Sequence, residues 1–178
     1  PPGQLGQPEQ PEQPRRNEFD QPIGRAVDWA GAQPPRETTL RSAYCSVVPL
    51  AKTHSADLWE AYATDLGPAQ FTYLVDEPVT SLAEMDQFVA GLIAKQDSFA
   101  WAILDANGLA VGTASYLRIA PTSGSIEVGA ILFTAALRRT RAATEAMYLL
   151  ASHAFEDLGY RRYEWKCDDL NAPSRAAA

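Results

Sequence analysis

Two short stretches hold the residue types most able to do chemistry. The first is Ile131-Leu132-Phe133-Thr134-Ala135-Ala136-Leu137-Arg138-Arg139-Thr140-Arg141-Ala142-Ala143-Thr144, an apolar strand-like run that passes through a short basic loop into a helical pattern. Unpaired amides at a helix start carry partial positive charge and favour an anion. Arg138, Arg139 and Arg141 strengthen such a site within an otherwise acidic chain. The plain alternative is a solvated basic helix start. The second stretch is Ser125-Ile126-Glu127-Val128-Gly129, where Glu127 sits among apolar strand residues that would tune it for general-base work. Its alternative is an exposed strand carboxylate. Other constellations fail. Ser152 and His153 are adjacent on a helical pattern and cannot face each other as nucleophile and base. The 2 histidines and 2 cysteines have no metal-ligand spacing. Neither a dinucleotide glycine fingerprint nor a phosphate-loop Gly-Lys-Ser/Thr phrase is present. His54 reads as a residue at the surface start of a helix.

The elements that position these stretches follow from periodicity. Residues 1–36 are rich in Pro, Gln and Glu, with a Gln-Pro-Glu repeat over 7–14, and hold too little apolar surface to offset their ordering entropy. A disordered arm is expected there, with a globular domain over 37–178. That domain opens with a strand over Tyr44–Val48 that Pro49 closes. A helix capped by Thr53 follows, with Leu58, Trp59 and Tyr62 on one face, until Gly67-Pro68 breaks it. Ser81 and Glu84 form a capping box for a second helix whose stripe is Leu82, Met85, Phe88, Val89 and Leu92. The period then becomes that of strands over Phe99–Leu104, Leu109–Ile119 and Ser125–Phe133, with an Asn107-Gly108 turn between the first two. A long helix over Thr140–Leu158 presents Ala143, Met147, Leu150, Ala154 and Leu158 on one face and stops at Gly159. Tyr160–Cys167 reads as a returning strand, and Asn171 with Pro173 starts a last helix. The order of elements implies an α/β fold, a mixed, mostly antiparallel sheet with helices on both faces.

Composition narrows the function. With 46% hydrophobic residues over 178 positions the chain can bury a core. A net charge of −7 argues against a broad grip on nucleic acid or an anionic membrane, and mildly favours cationic small partners. No apolar run approaches the roughly 20 residues that span a bilayer, so a cytoplasmic protein is expected. Cys45 and Cys167 fall in strand-like segments and read as buried thiols rather than a disulfide.

The chain resembles the GNAT superfamily of N-acetyltransferases, in particular its ribosomal-protein-acetyltransferase-like branch. The resemblance covers about 38–178 and is carried by Ser125 to Gly129, by Leu137 to Glu145, and by Leu158-Gly159-Tyr160-Arg161-Arg162-Tyr163-Glu164-Trp165-Lys166-Cys167 followed by Asn171-Ala172-Pro173-Ser174-Arg175. The family's acyl-CoA signature, a Gln or Arg, two residues, Gly, one residue, then Gly or Ala, is matched at its ends by Arg138 and Ala143. Arg141 stands where glycine is usual, where its side chain either crowds the pyrophosphate or points outward as an extra cation.

The resemblance implies acetyl-CoA as acyl donor and no metal. The donor's pyrophosphate would meet amides of Arg139, Thr140, Arg141, Ala142 and Ala143, with Arg138 and the Thr144 hydroxyl beside them. Its pantetheine arm would pair with the backbone near Leu132 and Phe133, and Asn171 and Ser174 would face that arm. Glu127 would then be the base that takes a proton from the acceptor amine. Relatives often place an acidic tyrosine seven residues after the asparagine; Ala178 stands there, so Ser174 becomes the candidate acid. Phe71, Thr72 and Tyr73, in the loop of Gln70 to Leu74, match a segment that lines the acceptor pocket, although core packing explains the aromatic residues equally well. The implied reaction is acetyl transfer to a primary amine of a small molecule or a protein N-terminus. The alternative is a catalytically inactive GNAT-like acyl-CoA-binding or interaction module. Relatives continue past the last helix into two more strands, so a C-terminally incomplete domain with an open sheet edge, and hence a homodimer or poor solubility, is expected.

Overall fold

A computed structural model describes residues 14–63, 69 and 71–178. Residues 7–13 of the Gln-Pro-Glu repeat, the Gly67-Pro68 break and Gln70 lie outside these. The chain divides into two units, 1–30 and 31–178. The described part of the first contains a small hairpin, β1 (Arg15–Arg16) and β2 (Pro22–Ile23), within the stretch expected to be disordered. Asn17 builds its turn, its Oδ1 accepting from the amides of Phe19 and Gln21. The border between units falls at Gly31 instead of 37. Ala32 and Gln33 already belong to the second unit, where their amides donate to the carbonyls of Pro121 and Leu158.

The second unit is built on a six-stranded sheet of β3 (Leu40–Arg41), β4 (Ser46–Pro49), β5 (Ser98–Leu104), β6 (Ala110–Ala120), β7 (Ser125–Phe133) and β8 (Arg162–Trp165), in that spatial order. All neighbours are antiparallel except β7 and β8, which run parallel. This is the mixed, mostly antiparallel sheet that the periodicity implied. The strand expected over Tyr44–Val48 is β4, which starts at Ser46 because Arg141 and Glu145 hold Tyr44 in the turn before it, and which includes Pro49. The returning strand likewise covers only Arg162–Trp165, and Cys167 lies beyond it, exposed rather than buried. Cys45 is buried, and neither forms a disulfide.

Helices α1 (Ser55–Ala63) and α2 (Leu82–Ala94) cover one face. A 3₁₀ turn over Lys52–His54 precedes α1, so Thr53 lies inside that turn and is not the cap. His54 accepts the Ala51 amide through Nδ1 at 3.1 Å. The Ser81 hydroxyl accepts from the Glu84 amide as expected. The Glu84 carboxylate reaches back one residue further, to the amide and hydroxyl of Thr80. Met85, Val89 and Leu92 enter a core with Leu58, Tyr62 and Phe71, whereas Leu82 is exposed.

Helix α3 (Arg141–Ser152) covers the other face and continues through a π-helical turn, His153–Asp157. The widened turn is marked by the Leu158 amide donating to the His153 carbonyl at 3.0 Å. Gly159 then adopts φ +76°, the left-handed stop read from its position. Trp101, Tyr116 and His153 pack together under α3, and the Tyr116 hydroxyl donates to the Leu150 carbonyl at 2.6 Å. The last helix, α4 (Ala172–Ala177), is capped by Asn171, whose Oδ1 accepts the Ser174 amide at 3.1 Å. Among the described residues no helix is long and apolar enough to cross a membrane.

Candidate active site

A parting of two strands organises the site. On β7, Gly129 pairs with Ser115 of β6 and Leu132 with Thr113, so Ala130 and Ile131 together face only Ala114. This is a β-bulge, and Ala130 takes φ +47° to make it. A bulged strand bends, and the pairing of β7 with β8 ends at Val128 and Trp165. From Gly129 to Phe133 the edge of β7 on the β8 side carries no strand partner among the described residues. Leu132 is buried in the core and Phe133 half-buried, but their backbone borders this parting.

Beyond Phe133 the chain turns into the basic loop. Thr134, missed in the sequence, is its anchor. Its buried hydroxyl donates to the Val111 carbonyl at 2.7 Å, and its own carbonyl accepts the amides of Leu137 and Arg138. Arg139 is exposed and left-handed at φ +59°. Thr140 caps α3, its hydroxyl accepting from Ala143 at 3.2 Å and donating to the Leu137 carbonyl at 2.6 Å. The amides of Thr140 and Ala143 are therefore engaged within the loop. Those of Arg139, Arg141 and Ala142 have no acceptor among the described residues, as a helix start leaves its first donors. Thr144 is exposed on the first turn.

Arg141 resolves the question raised by its place in the signature. Its guanidinium lies 5.5 Å above the Tyr44 ring and donates to the Tyr44 hydroxyl at 2.9 Å. One turn on, the Glu145 carboxylate accepts the Tyr44 amide at 3.1 Å. The Arg141 side chain is drawn to the turn between β3 and β4 and does not fold over the helix start.

Glu127 lies at the inner end of the parting, one residue before pairing stops. It is 4% exposed, not the surface carboxylate of the alternative reading. Its surroundings also differ from the apolar ones expected. Lys166 Nζ lies 2.6 Å from its Oε2, and Arg118 Nη1 contacts the same oxygen. Lys166 bonds Glu164 as well, at 2.6 Å, and Arg162 meets Glu164 at 2.7 Å. The hydrogen bond to Glu127, and then that to Glu164, pushes the Lys166 ammonium above the usual lysine range. The hydrogen bond from Lys166, followed by that from Arg162, holds the Glu164 carboxyl below its usual range. Sheet register makes this cluster, since Glu127 pairs with both Leu117 and Glu164. A Cβ at Gly129 would stand 2.7 Å from Leu117 Cδ1 and 3.5 Å from the other Glu127 oxygen, Oε1, so Leu117 packs closely over this glycine.

Ser174 is held against the end of β8, its Oγ accepting from Trp165 Nε1 at 2.9 Å. The hydroxyl hydrogen of Ser174 stays free to donate elsewhere. Asn171 uses its carbonyl oxygen on the α4 cap. Of the acceptor candidates, Thr72 and Tyr73 are exposed, and the Thr72 hydroxyl donates to the Ala69 carbonyl. Phe71 is a correction. At 4% exposure it packs edge-on against Tyr62 and Phe88, so the core-packing explanation of this aromatic prevails over substrate contact.

Residues 47–178 match the family model of the acetyltransferase (GNAT) domain. The chain belongs to the GNAT family. A GCN5-related N-acetyltransferase from Brucella melitensis is similar at 33% identity and a TM-score of 0.80, over 85% of this chain and 69% of that one. A GNAT-family probable acetyltransferase from Chromobacterium violaceum is similar at 34% and 0.78, over 89% and 81%. The fold, at 19% identity and a TM-score of 0.66 over 79% and 81%, also resembles the Salmonella typhimurium acetyl transferase that modifies the N-terminal serine of ribosomal protein L7/L12. No curated protein sequence matches the chain. GNAT membership and the α/β fold agree with the resemblance read from the signature stretches.

Proposed function

We propose that this GNAT domain is an acetyl-CoA-dependent N-acetyltransferase acting on a primary amine of a small molecule or a protein N-terminus. The observation that carries the reading is the parting of β7 from β8 at Val128 and Trp165, with buried Glu127 at its inner end and an arginine-bearing helix start at its outer end. The donor's parts suit this arrangement. Unengaged amides of Arg139, Arg141 and Ala142, with the Arg138 and Arg139 cations, fit a pyrophosphate. The open β7 edge at Leu132 and Phe133 offers backbone donors and acceptors to the amides of a pantetheine arm. Asn171 and Ser174 border that arm, and Thr144 adds a hydroxyl on the first turn of α3.

Bound acetyl-CoA supplies an acetyl group activated as a thioester. Glu127 takes a proton from the acceptor's ammonium, directly or through water, because only the neutral amine can attack a carbonyl. Arg118 and Lys166 fix the carboxylate by one oxygen and leave Oε1 for that proton. An N–C bond forms as the C–S bond breaks, and the second proton that the nitrogen sheds on becoming an amide passes through the Ser174 hydroxyl to the departing thiolate, so that the hydroxyl ends as it began. Thr72 and Tyr73, exposed before α2, border the acceptor.

Calorimetric titration with acetyl-CoA, followed by thiol release across a panel of amines, tests the proposal. Saturable donor binding with release of free CoA in proportion to acetylated amine is expected. Donor binding without release from any amine supports the inactive-module reading, and absence of both refutes the assignment.

A further inference from the structure

The charges around Glu127 hold more cation than the carboxylates need. Arg118, Lys166 and Arg162 face Glu127 and Glu164, so the cluster carries a net charge of about +1 by simple count, in a chain whose formal charge is −7. Arg118 and Lys166 keep much of their side-chain surface open, at 63% and 52% exposure, while the carboxylate they share is buried. Arg118 reaches Glu127 through Nη1, and among the described residues its other guanidinium nitrogens meet no acceptor. It also occupies a left-handed backbone conformation, φ +47°, inside β6, where the ladder to β7 shifts register between Leu117 and Ala120. A non-glycine residue in that region is strained and persists where the surroundings enforce it, often at ligand sites. A half-exposed arginine held this way beside a buried carboxylate is more than Glu127 needs for neutralisation, because Lys166 already provides that.

We propose that the acceptor carries a carboxylate next to its amine, as a free α-amino acid does. The ammonium meets Glu127 at Oε1, the oxygen that neither Arg118 nor Lys166 contacts. The carboxylate bridges the open donors of Arg118 and Lys166 at Oε2's side. Both ends of a zwitterion then find opposite charges a few ångströms apart, and a simple amine or peptide N-terminus satisfies only one. This rests on the acetyl-transfer reading for the place of the amine, but it makes its own claim about what binds there.

The test compares glycine, serine, leucine, phenylalanine and glutamate, as free amino acids, each with its carboxamide. Binding is measured by calorimetry to the full chain, with and without CoA, and turnover by thiol release. Loss of a charge-assisted hydrogen-bonding partner is worth about tenfold to a hundredfold. At least one free amino acid is expected to bind, and to react, about tenfold or more better than its carboxamide. In Arg118→Gln and in Lys166→Gln that preference, read as the acid-to-carboxamide ratio within each variant, falls towards unity, whatever loss both acceptors share. A purely structural role for the cations would lower both acceptors together and leave the ratio unchanged, which counts against the proposal. Equal affinity for acids and carboxamides overturns it and leaves acetyl transfer intact, as does a preference for peptides with a free amino end. Absence of heat with every amino acid also overturns it. If acetyl-CoA itself fails to bind, the acetyl-transfer reading falls, yet the acid-against-carboxamide comparison on the free protein still decides this inference.

Discussion

Gly112→Ala should be the most informative single-methyl change in the domain. Gly112 pairs with Phe133 across β6 and β7. A Cβ there would lie 2.7 Å from Leu137 Cδ2 and 2.8 Å from the Leu132 carbonyl oxygen. Relaxed carbon contacts run at about 3.5–4.0 Å, so both neighbours must yield by several tenths of an ångström or more. Neither yields easily. The carbonyl is backbone of a laddered strand, and Leu137 is 1% exposed and starts the basic loop. Overpacking of this kind costs about 1–3 kcal/mol, and the stiffer unfolded chain returns about 0.4–1 kcal/mol, so a net loss of about 1–2 kcal/mol is expected. At about 2–4 °C per kcal/mol for a domain of this size, the Tm should drop by about 2–8 °C. Urea unfolding should show a lower midpoint with an unchanged slope. Donor affinity should fall as well, because Leu137 carries the loop. The control is Gly129→Ala, whose Cβ would meet Leu117 Cδ1 at 2.7 Å. That atom ends a half-buried, flexible side chain that can turn aside, so the loss should stay under about 1 kcal/mol. Wild-type stability in Gly112→Ala, or greater damage from Gly129→Ala, would refute this packing argument.

Three further outcomes are expected. Glu127→Gln should leave the donor dissociation constant unchanged while turnover drops by about 10²–10⁴, the usual contribution of a general base; equal rates would return Glu127 to a structural role. Arg139→Glu should weaken acetyl-CoA binding by about tenfold or more, read by calorimetry, since it replaces a cation by an anion beside the proposed pyrophosphate. Burial pulls the His54 imidazole below the ordinary histidine value of about 6.5, against a smaller opposing influence of Asp57. The unfolded chain therefore takes up this proton first as pH falls. The contribution of neutral His54 is complete above about pH 6.5 and lost below it, as pH drops through the folded-state value. Urea midpoints between pH 7 and pH 5 should fall less in His54→Asn, whose side-chain oxygen still accepts the Ala51 amide; an identical pH slope would exclude His54.

Most elements were legible because their signals are local. Ser81 with Glu84, Asn107-Gly108, Gly159, and Asn171 with Pro173 each fix a turn or cap within a few residues, and the structure has a cap, turn or stop at every one. The donor half of the candidate site was readable for the same reason, since Arg138 to Thr144 are contiguous. The acceptor half was not. Arg118, Glu127, Glu164 and Lys166 meet only through the register of three strands, which is set by bulges at Arg118 and Ala130. Both residues are left-handed without being glycine, so no sequence period marks them. Tyr44 was read as a strand residue because its clamp, Arg141 and Glu145, lies about a hundred positions away. Cys167 was placed in a buried strand because alternation continued past Trp165, where pairing with β7 had already ended.

Amide chemical shifts of the ¹⁵N-labelled chain during titration with acetyl-CoA test the central claim most directly. The account predicts saturable shifts concentrated at Arg139, Arg141 and Ala142 and along Gly129 to Phe133, with the hairpin of β1 and β2 unmoved. Saturable binding whose shifts fall elsewhere, or no shifts in the loop and the open edge of β7, would contradict it.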